Sequence, residues 1–172
     1  MSPSLNYPLL MDILKAYWRM DYIRSEEEEI PRGEVFSALP KMGDDRAALI
    51  VHRAAHCYLV LNRYPYNAGH LLAVPYEPWS DLGEMPVEAR TELMETIVFA
   101  QQLLRRAMQP EGFNIGFNIG KNSGAGIPGH LHAHIVPRWT GDTNFVTVIG
   151  KTRVLPQALE QTWECLCKHL ND

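Results

Sequence analysis

Residues 113–120 read Phe-Asn-Ile-Gly-Phe-Asn-Ile-Gly, an unbroken alternation of apolar residues with small or polar ones. Side chains alternate faces along a strand, so Phe113, Ile115, Phe117 and Ile119 share one face, with asparagine and glycine on the other. The alternation follows closely on the longest helical pattern, residues 86–108. There Leu93, Met94, Ile97, Val98, Gln101, Leu104 and Met108 trace one stripe at helical spacing. Pro86 suits the first helical position, and Pro110 with Gly112 ends the run. So short a link predicts that the apolar strand face packs on the helix stripe. The asparagine–glycine face is then bare and lets a ligand approach the backbone closely. Tight packing of another element on that face is the alternative.

Upstream, residues 47–52 and the run Cys-Tyr-Leu-Val-Leu at 57–61 are strand candidates. Residues 62–69 carry turn chemistry, and residues 70–74 form the returning strand, closed by Pro75. The short links predict an antiparallel meander. Residues 8–20 read as a short amphipathic helix, Glu26 to Glu29 lie in a solvated loop, and residues 156–170 form the last helix.

The chain has 172 residues, 46% hydrophobic and 21% charged, which are ordinary globular proportions for one domain with a real core. A net charge of −4 offers no nucleic-acid groove, so an anionic ligand needs a local cradle. No apolar run approaches the ~20 residues that span a bilayer, and the N-terminus lacks a secretory pattern. The expectation is a soluble, cytoplasmic protein with neither nucleic-acid nor membrane partner. Cys57, Cys165 and Cys167 form no disulfide framework and read as reduced thiols. A zinc site on Cys165 and Cys167 lacks a second ligand pair at suitable spacing.

Residues 129–139 read Gly-His-Leu-His-Ala-His-Ile-Val-Pro-Arg-Trp. Strand periodicity places His130, His132 and His134 on one face and Leu131, Ala133 and Ile135 on the other. Idle buried imidazoles are costly because each needs hydrogen-bond partners. Two chemistries use such a row: zinc ligation, or a nucleophile flanked by proton donors. The preceding residues, Lys-Asn-Ser-Gly-Ala-Gly-Ile-Pro-Gly at 121–129, form a glycine-rich loop whose backbone N–H groups can cradle phosphate. An imidazole beside such a cradle points to attack on phosphorus.

His130-Leu131-His132-Ala133-His134-Ile135-Val136 resembles the signature of the histidine-triad family, and Asn62-Arg63-Tyr64-Pro65 with Gly69-His70-Leu71-Leu72 resembles its first nucleotide-binding segment. The likeness runs from about Trp18 to about Leu166. Residues 137–145 resemble the branch that includes diadenosine tetraphosphate phosphorylases and related hydrolases. The resemblance implies an α+β fold, a mainly antiparallel sheet of about five strands with a long helix across it. One domain would span residues 1–172, with its core at about 47–139 and its last helix at about 156–170. A homodimer, formed by sheet or helix contact, is implied as well.

The implied reaction is cleavage of dinucleoside polyphosphates at a nucleoside α-phosphate through a covalent nucleotidyl-histidine. Either water or inorganic phosphate could be the acceptor. His132 would be the nucleophile, with His130 and His134 orienting it and stabilising charge. Asn62 would bind ribose, Leu72 would pack near the base, and His70 would support the pocket. Asn118 with the backbone of Gly124, Gly126 and Ile127 would hold phosphate oxygens, and Trp139 would stack on a distal nucleotide. Alternatives are a nucleoside phosphoramidate hydrolase of the same family, a zinc hydrolase, and a nucleotide-binding module without turnover. Many members bind zinc through C-x-x-C, a histidine after a Val-Pro segment and the first triad histidine. Here Glu34, Ser37 and Pro78 stand at the other positions and only His130 is present, so the resemblance implies no metal and no cofactor.

Overall fold

The computed structural model describes residues 31–142 and 158–171. The helix expected at 8–20, the acidic run at 26–29 and much of the segment after β5 lie outside the described residues. Five strands form one sheet: β1 (Ile50–Arg53), β2 (Cys57–Leu61), β3 (Leu71–Pro75), β4 (Gly112–Phe117) and β5 (Ala133–Arg138). Their spatial order is β1-β2-β3-β5-β4, and every neighbouring pair is antiparallel. A short helix α1 (Val35–Ala38) precedes β1, the long helix α2 (Val87–Met108) joins β3 to β4, and α3 (Leu159–Lys168) follows the sheet. This is the α+β architecture expected, with the meander β1-β2-β3 in place.

The core lies between the sheet and α2. β2 and β3 are buried along their whole lengths, as their β-branched and leucine-rich sequences require for central strands. α2 buries Ala89, Leu93, Thr96, Ile97, Ala100, Leu103 and Leu104. Two alanines on that line let the helix sit close to the sheet. The stripe read from hydrophobicity was rotated from this one: Met94 and Val98 face solvent at 55% and 38% exposure. Pro86 is the N-cap, one residue before the helical start. Gln109 closes the helix in the left-handed conformation, φ 50°, the role glycine usually fills.

α2 packs mainly on β2, β3 and β5, and meets β4 at Phe113. The expectation that the apolar face of residues 113–119 meets the long helix therefore holds only in part. Phe113 and Phe117 pack against the core, whereas Ile115 and Ile119 remain 41% and 39% exposed. Strand β4 is an edge strand.

The histidine row also differs from a regular strand. Pairing of β5 with both neighbours stops at Ala133, opposite Ala73 and Phe117. His130 and His132 therefore precede the ladder, and only His134 lies on β5. The last helix is described from Leu159, with Ala158 as its N-cap. It is held by the Trp163 indole N–H donating to the Ile50 carbonyl at 2.8 Å.

Candidate active site

Sheet register builds the floor of the site. Leu72 on β3 lies opposite His134 on β5, and His134 lies opposite Gly116 on β4. Val60 on β2 lies opposite Leu72. Paired residues share a face, so Val60, Leu72, His134 and Gly116 form one row. The guanidinium of Arg105 on α2 lies over the Phe113 ring at 5.3 Å, so the helix covers the other face. A Cβ built at Gly116 meets nothing within 4 Å. The asparagine–glycine face is open, as its sequence suggested.

A cleft above this row is lined by Asn62, Leu72, Asn118, Gly126, Ile127, His132 and His134, together with Phe36, Tyr64 and Tyr66. Phe36, Asn62, Tyr64, Leu72 and Ile127 also border an adjoining hollow of about 350 Å³. Its remaining walls are mostly apolar, from Val35, Leu39, Met42, Ala48, Leu49, Val60 and Leu61, with Arg63 as its cationic side chain.

The α1 wall is fixed from the core. The fully buried Tyr58 donates its O–H to the Phe36 carbonyl at 2.7 Å. Burial pushes this phenol above its ordinary pKa, so it stays a donor. The Phe36 ring then lies 4.8 Å from the His132 ring and edge-on to His130 at 5.5 Å.

His132 is 6% exposed. Its Nδ1–H donates to the His130 carbonyl at 2.9 Å, because a carbonyl can only accept. The neutral ring therefore keeps its lone pair on Nε2. Burial lowers the pKa of His132 below 6.5; the backbone hydrogen bond opposes that shift and nearby His130 adds to it. The result is a neutral imidazole with one bare nitrogen beside Gly126 and Ile127. The loop is tied to the histidines directly, since the His130 N–H donates to the Ile127 carbonyl at 3.3 Å.

His130 has a different place. It is fully buried, lines neither hollow, and donates Nε2–H to the Pro75 carbonyl at 2.8 Å. Burial is again the leading cause of its lowered pKa. Its Nδ1 is the one buried side-chain nitrogen or oxygen among the described residues without a hydrogen-bond partner. Zinc would need donors around it. Ser37 and Pro78 supply no zinc-type ligand and Glu34 is exposed. Among the described residues no group of three His, Cys, Asp or Glu side chains is placed to hold a metal. The residues present do not fit the zinc site of the resemblance.

His134 is half-buried, with Nδ1 3.0 Å from Nε2 of His70 and Nε2 3.5 Å from the Asn118 carboxamide. His70 is fully buried and supports His134 from behind without lining the cleft. Asn62 accepts the Tyr64 N–H at 3.0 Å through Oδ1, which tightens the turn. The turn is also tied to the end of β5, where Asn67 donates to the Pro137 carbonyl and to Asp142, itself paired with Arg138.

Besides His70 and His130, two further expected residues are off the cleft lining. Gly124 turns the loop at φ +84° but lies off the lining. Trp139 donates its indole N–H to the Gln109 carbonyl at 3.2 Å, beyond the C-terminal end of α2, and borders neither hollow. Conversely, Phe36, Tyr64 and Tyr66 were missed. Tyr64 stood in the Asn-Arg-Tyr-Pro segment without a role of its own, and Tyr66 in a stretch read only for turn chemistry, although aromatic residues crowded beside Gly69-His70 were a signal. Phe36 carried no local signal, because α1 reaches the site only through tertiary packing.

The sequence profile of the HIT domain matches residues 45–141. The AP-4-A phosphorylase of Mycobacterium tuberculosis is 38% identical over 160 residues, covering 88% of this chain and 82% of that protein. The asymmetrical bis(5'-nucleosyl)-tetraphosphatase of Schizosaccharomyces pombe is 26% identical over 113 residues, covering 66% of this chain and 59% of that one. Among solved structures, a Zn-bound histidine triad family protein from Mycobacterium smegmatis shares the fold. Its TM-score is 0.64 at 24% identity, over 79% of this chain and 91% of that one.

Proposed function

Because the chain belongs to the HIT domain family, we propose that it is a single-domain enzyme cleaving dinucleoside polyphosphates, diadenosine tetraphosphate foremost, at a nucleoside α-phosphate. The observation that carries this reading is the state of His132: neutral, locked through Nδ1, and bare at Nε2 beside the glycine-rich loop. A base seats in the apolar hollow between α1 and β2, next to Leu72. Ribose then lies near Asn62, and phosphate oxygens lie among Asn118, His134 and the amides at Gly126 and Ile127.

In the first step the Nε2 lone pair forms a bond to the α-phosphorus while the bridging P–O bond breaks and its electron pair leaves with ATP. In the second step an acceptor oxygen forms the new P–O bond, the P–N bond breaks, and the pair returns to Nε2. Water yields AMP, and inorganic phosphate yields ADP. The likeness to a phosphorylase over most of both chains favours phosphate as acceptor. Positioning and charge stabilisation supply most of the catalysis in such transfers, which suits a site of backbone amides and imidazoles.

Ile115, exposed on edge strand β4, with exposed Ile119 just beyond it and Met94 and Val98 exposed on α2, supports a homodimer in which a second copy covers apolar surface of this kind. Among the described residues no helix is long and apolar enough to cross a membrane. The cysteines are all unpaired, which supports a cytoplasmic location. The reaction is tested by incubating the chain with diadenosine tetraphosphate, with and without inorganic phosphate. ADP plus ATP, dependent on phosphate, is expected; AMP plus ATP under both conditions would reassign the acceptor to water, and no cleavage would overturn the reading.

A further inference from the structure

Tyr66 has no role in the account so far beyond lining the cleft, yet it meets both histidines of the pair behind it. Its ring stacks on His134, with centroids 5.6 Å apart and planes 16° from parallel. The same ring lies 4.7 Å from the His70 ring. Its peptide N–H donates to Nδ1 of His70 at 3.0 Å.

That peptide N–H fixes where the protons sit. A nitrogen that accepts from a backbone N–H carries a lone pair, so neutral His70 holds its proton on Nε2. The Asn62 carboxamide nitrogen, 3.3 Å from the same Nδ1, is a second donor there and reinforces the assignment. His70 Nε2–H then donates to Nδ1 of His134 at 3.0 Å. His134, accepting at Nδ1, must carry its own proton on Nε2, the atom facing Asn118 and the cleft. The reverse arrangement would set a His70 Nδ1–H against the Tyr66 N–H and leave both buried donors unmatched. The Asn118 Nδ2 stands 3.5 Å from that Nε2; with Nε2–H a donor, the carboxamide must be turned over, so that its oxygen accepts from His134 and its NH₂ faces the phosphate position.

We propose that Tyr66 is a positioning residue: its peptide N–H and its ring together hold the His70–His134 pair in one tautomer and one orientation, with His134 presenting Nε2–H as a donor to a phosphate oxygen. The backbone contact chooses the tautomer, and the aromatic plate stops the His134 ring from rotating out of line. Without the plate, His134 samples orientations in which its donor misses the phosphate. The consequence for rate rests on the nucleotide-cleaving function proposed above; the proton positions do not.

The test has two arms on the full chain. In the first, long-range proton–nitrogen NMR of ¹⁵N-histidine-labelled protein reads which ring nitrogen of His134 is protonated, assigned by its loss in His134→Gln. The expected result is protonated Nε2 and bare Nδ1 on both His70 and His134; a proton on Nδ1 of His134 overturns the proposal without reference to activity. In the second arm, Tyr66→Ala is expected to lower kcat about tenfold with a smaller change in KM, a partial loss of a donor whose full removal costs about a hundredfold or more. The tautomer should stay as in the parent, because the peptide N–H to His70 is kept, while the His134 nitrogen signals broaden as the ring exchanges between orientations. Tyr66→Phe keeps the plate and should restore most of the rate and the sharp signals. A Tyr66→Ala enzyme with kcat within about twofold of the parent, or a Tyr66→Phe enzyme as impaired as Tyr66→Ala, overturns the proposal. If Tyr66→Ala does not fold, Tyr66→Leu, which fills the space without a plate, takes its place with the same expectations. Failure of the parent chain to cleave any dinucleotide would sink the proposed function and leave the NMR arm to decide on Tyr66.

Discussion

Nδ1 of His132 lies 2.9 Å from the carbonyl oxygen of His130. The middle histidine is thus oriented by the backbone of its neighbour, whose own ring is held by the Pro75 carbonyl. Replacing His132 by alanine or asparagine removes the bare Nε2 and leaves the hollow and loop intact. Turnover should fall by several orders of magnitude while nucleotide affinity stays within about tenfold. Measured turnover near the parent level in either variant would refute the assignment.

Acid pH separates rate from stability. Burial lowers the pKa of both His130 and His132 from 6.5. In the unfolded chain both take up protons near pH 6.5, whereas the folded chain resists, so the unfolded state binds more protons below that pH. The melting temperature should therefore be flat above pH 6.5 and decline as pH falls below it and through the lowered folded values. The nucleophile stays neutral over the same interval, so the acid limb of kcat/KM, which reports the free enzyme, should lie below 6.5. An acid limb at or above 6.5 contradicts the buried, neutral His132.

Gly116 lies beside His134 with open space where a side chain would project. Valine there suits a strand and would project beside His134 toward the proposed phosphate position. Gly116→Val should raise KM or Kd for nucleotide by about tenfold, or 1.4 kcal/mol, with an unchanged melting temperature. Unaltered affinity would remove this face of β4 from the binding site. Gly69 offers the opposite case. It sits at φ +73°, and a Cβ would come 2.6 Å from the Met108 sulfur and 3.2 Å from Leu104. Gly69→Ala should cost about 1–3 kcal/mol of stability in urea denaturation, and an unchanged midpoint would contradict that packing.

Elemental analysis of the purified chain should find no stoichiometric zinc. Glu34, Ser37 and Pro78 leave His130 without companion ligands. A zinc content of about one per chain that survives mild chelation would show that the ligands come from elsewhere.

Local pattern revealed much of this molecule, and its failures share a cause. The alternation at 113–117 and the apolar run at 57–61 became strands because period and burial agree there. The histidine row revealed its chemistry but not its conformation: pairing stops at Ala133, so His130 and His132 precede the ladder and only His134 joins it. Met94 and Val98 counted as core because hydrophobicity alone cannot say which side of a helix the sheet will cover. Phe36 was invisible for a related reason, since it reaches His132 only because Tyr58, 22 residues away, holds its carbonyl. Trp139 donates its indole N–H to the Gln109 carbonyl, at a helix end whose left-handed turn the sequence did not signal.

Trapping of the intermediate tests the nucleophile most directly. Substrate labelled at the α-phosphorus is mixed with the chain and quenched within milliseconds into alkali, where a P–N bond to imidazole persists. A nucleotide aryl ester, whose good leaving group speeds the first step, lets the intermediate accumulate. Label should appear on the protein, approach one equivalent per chain in step with a burst of aryl release, vanish on brief acid treatment, and be absent from His132→Ala. Turnover of the aryl ester without protein-bound label or burst, with inversion at a chiral α-phosphorus, would mean a single direct displacement and would contradict His132 as the nucleophile.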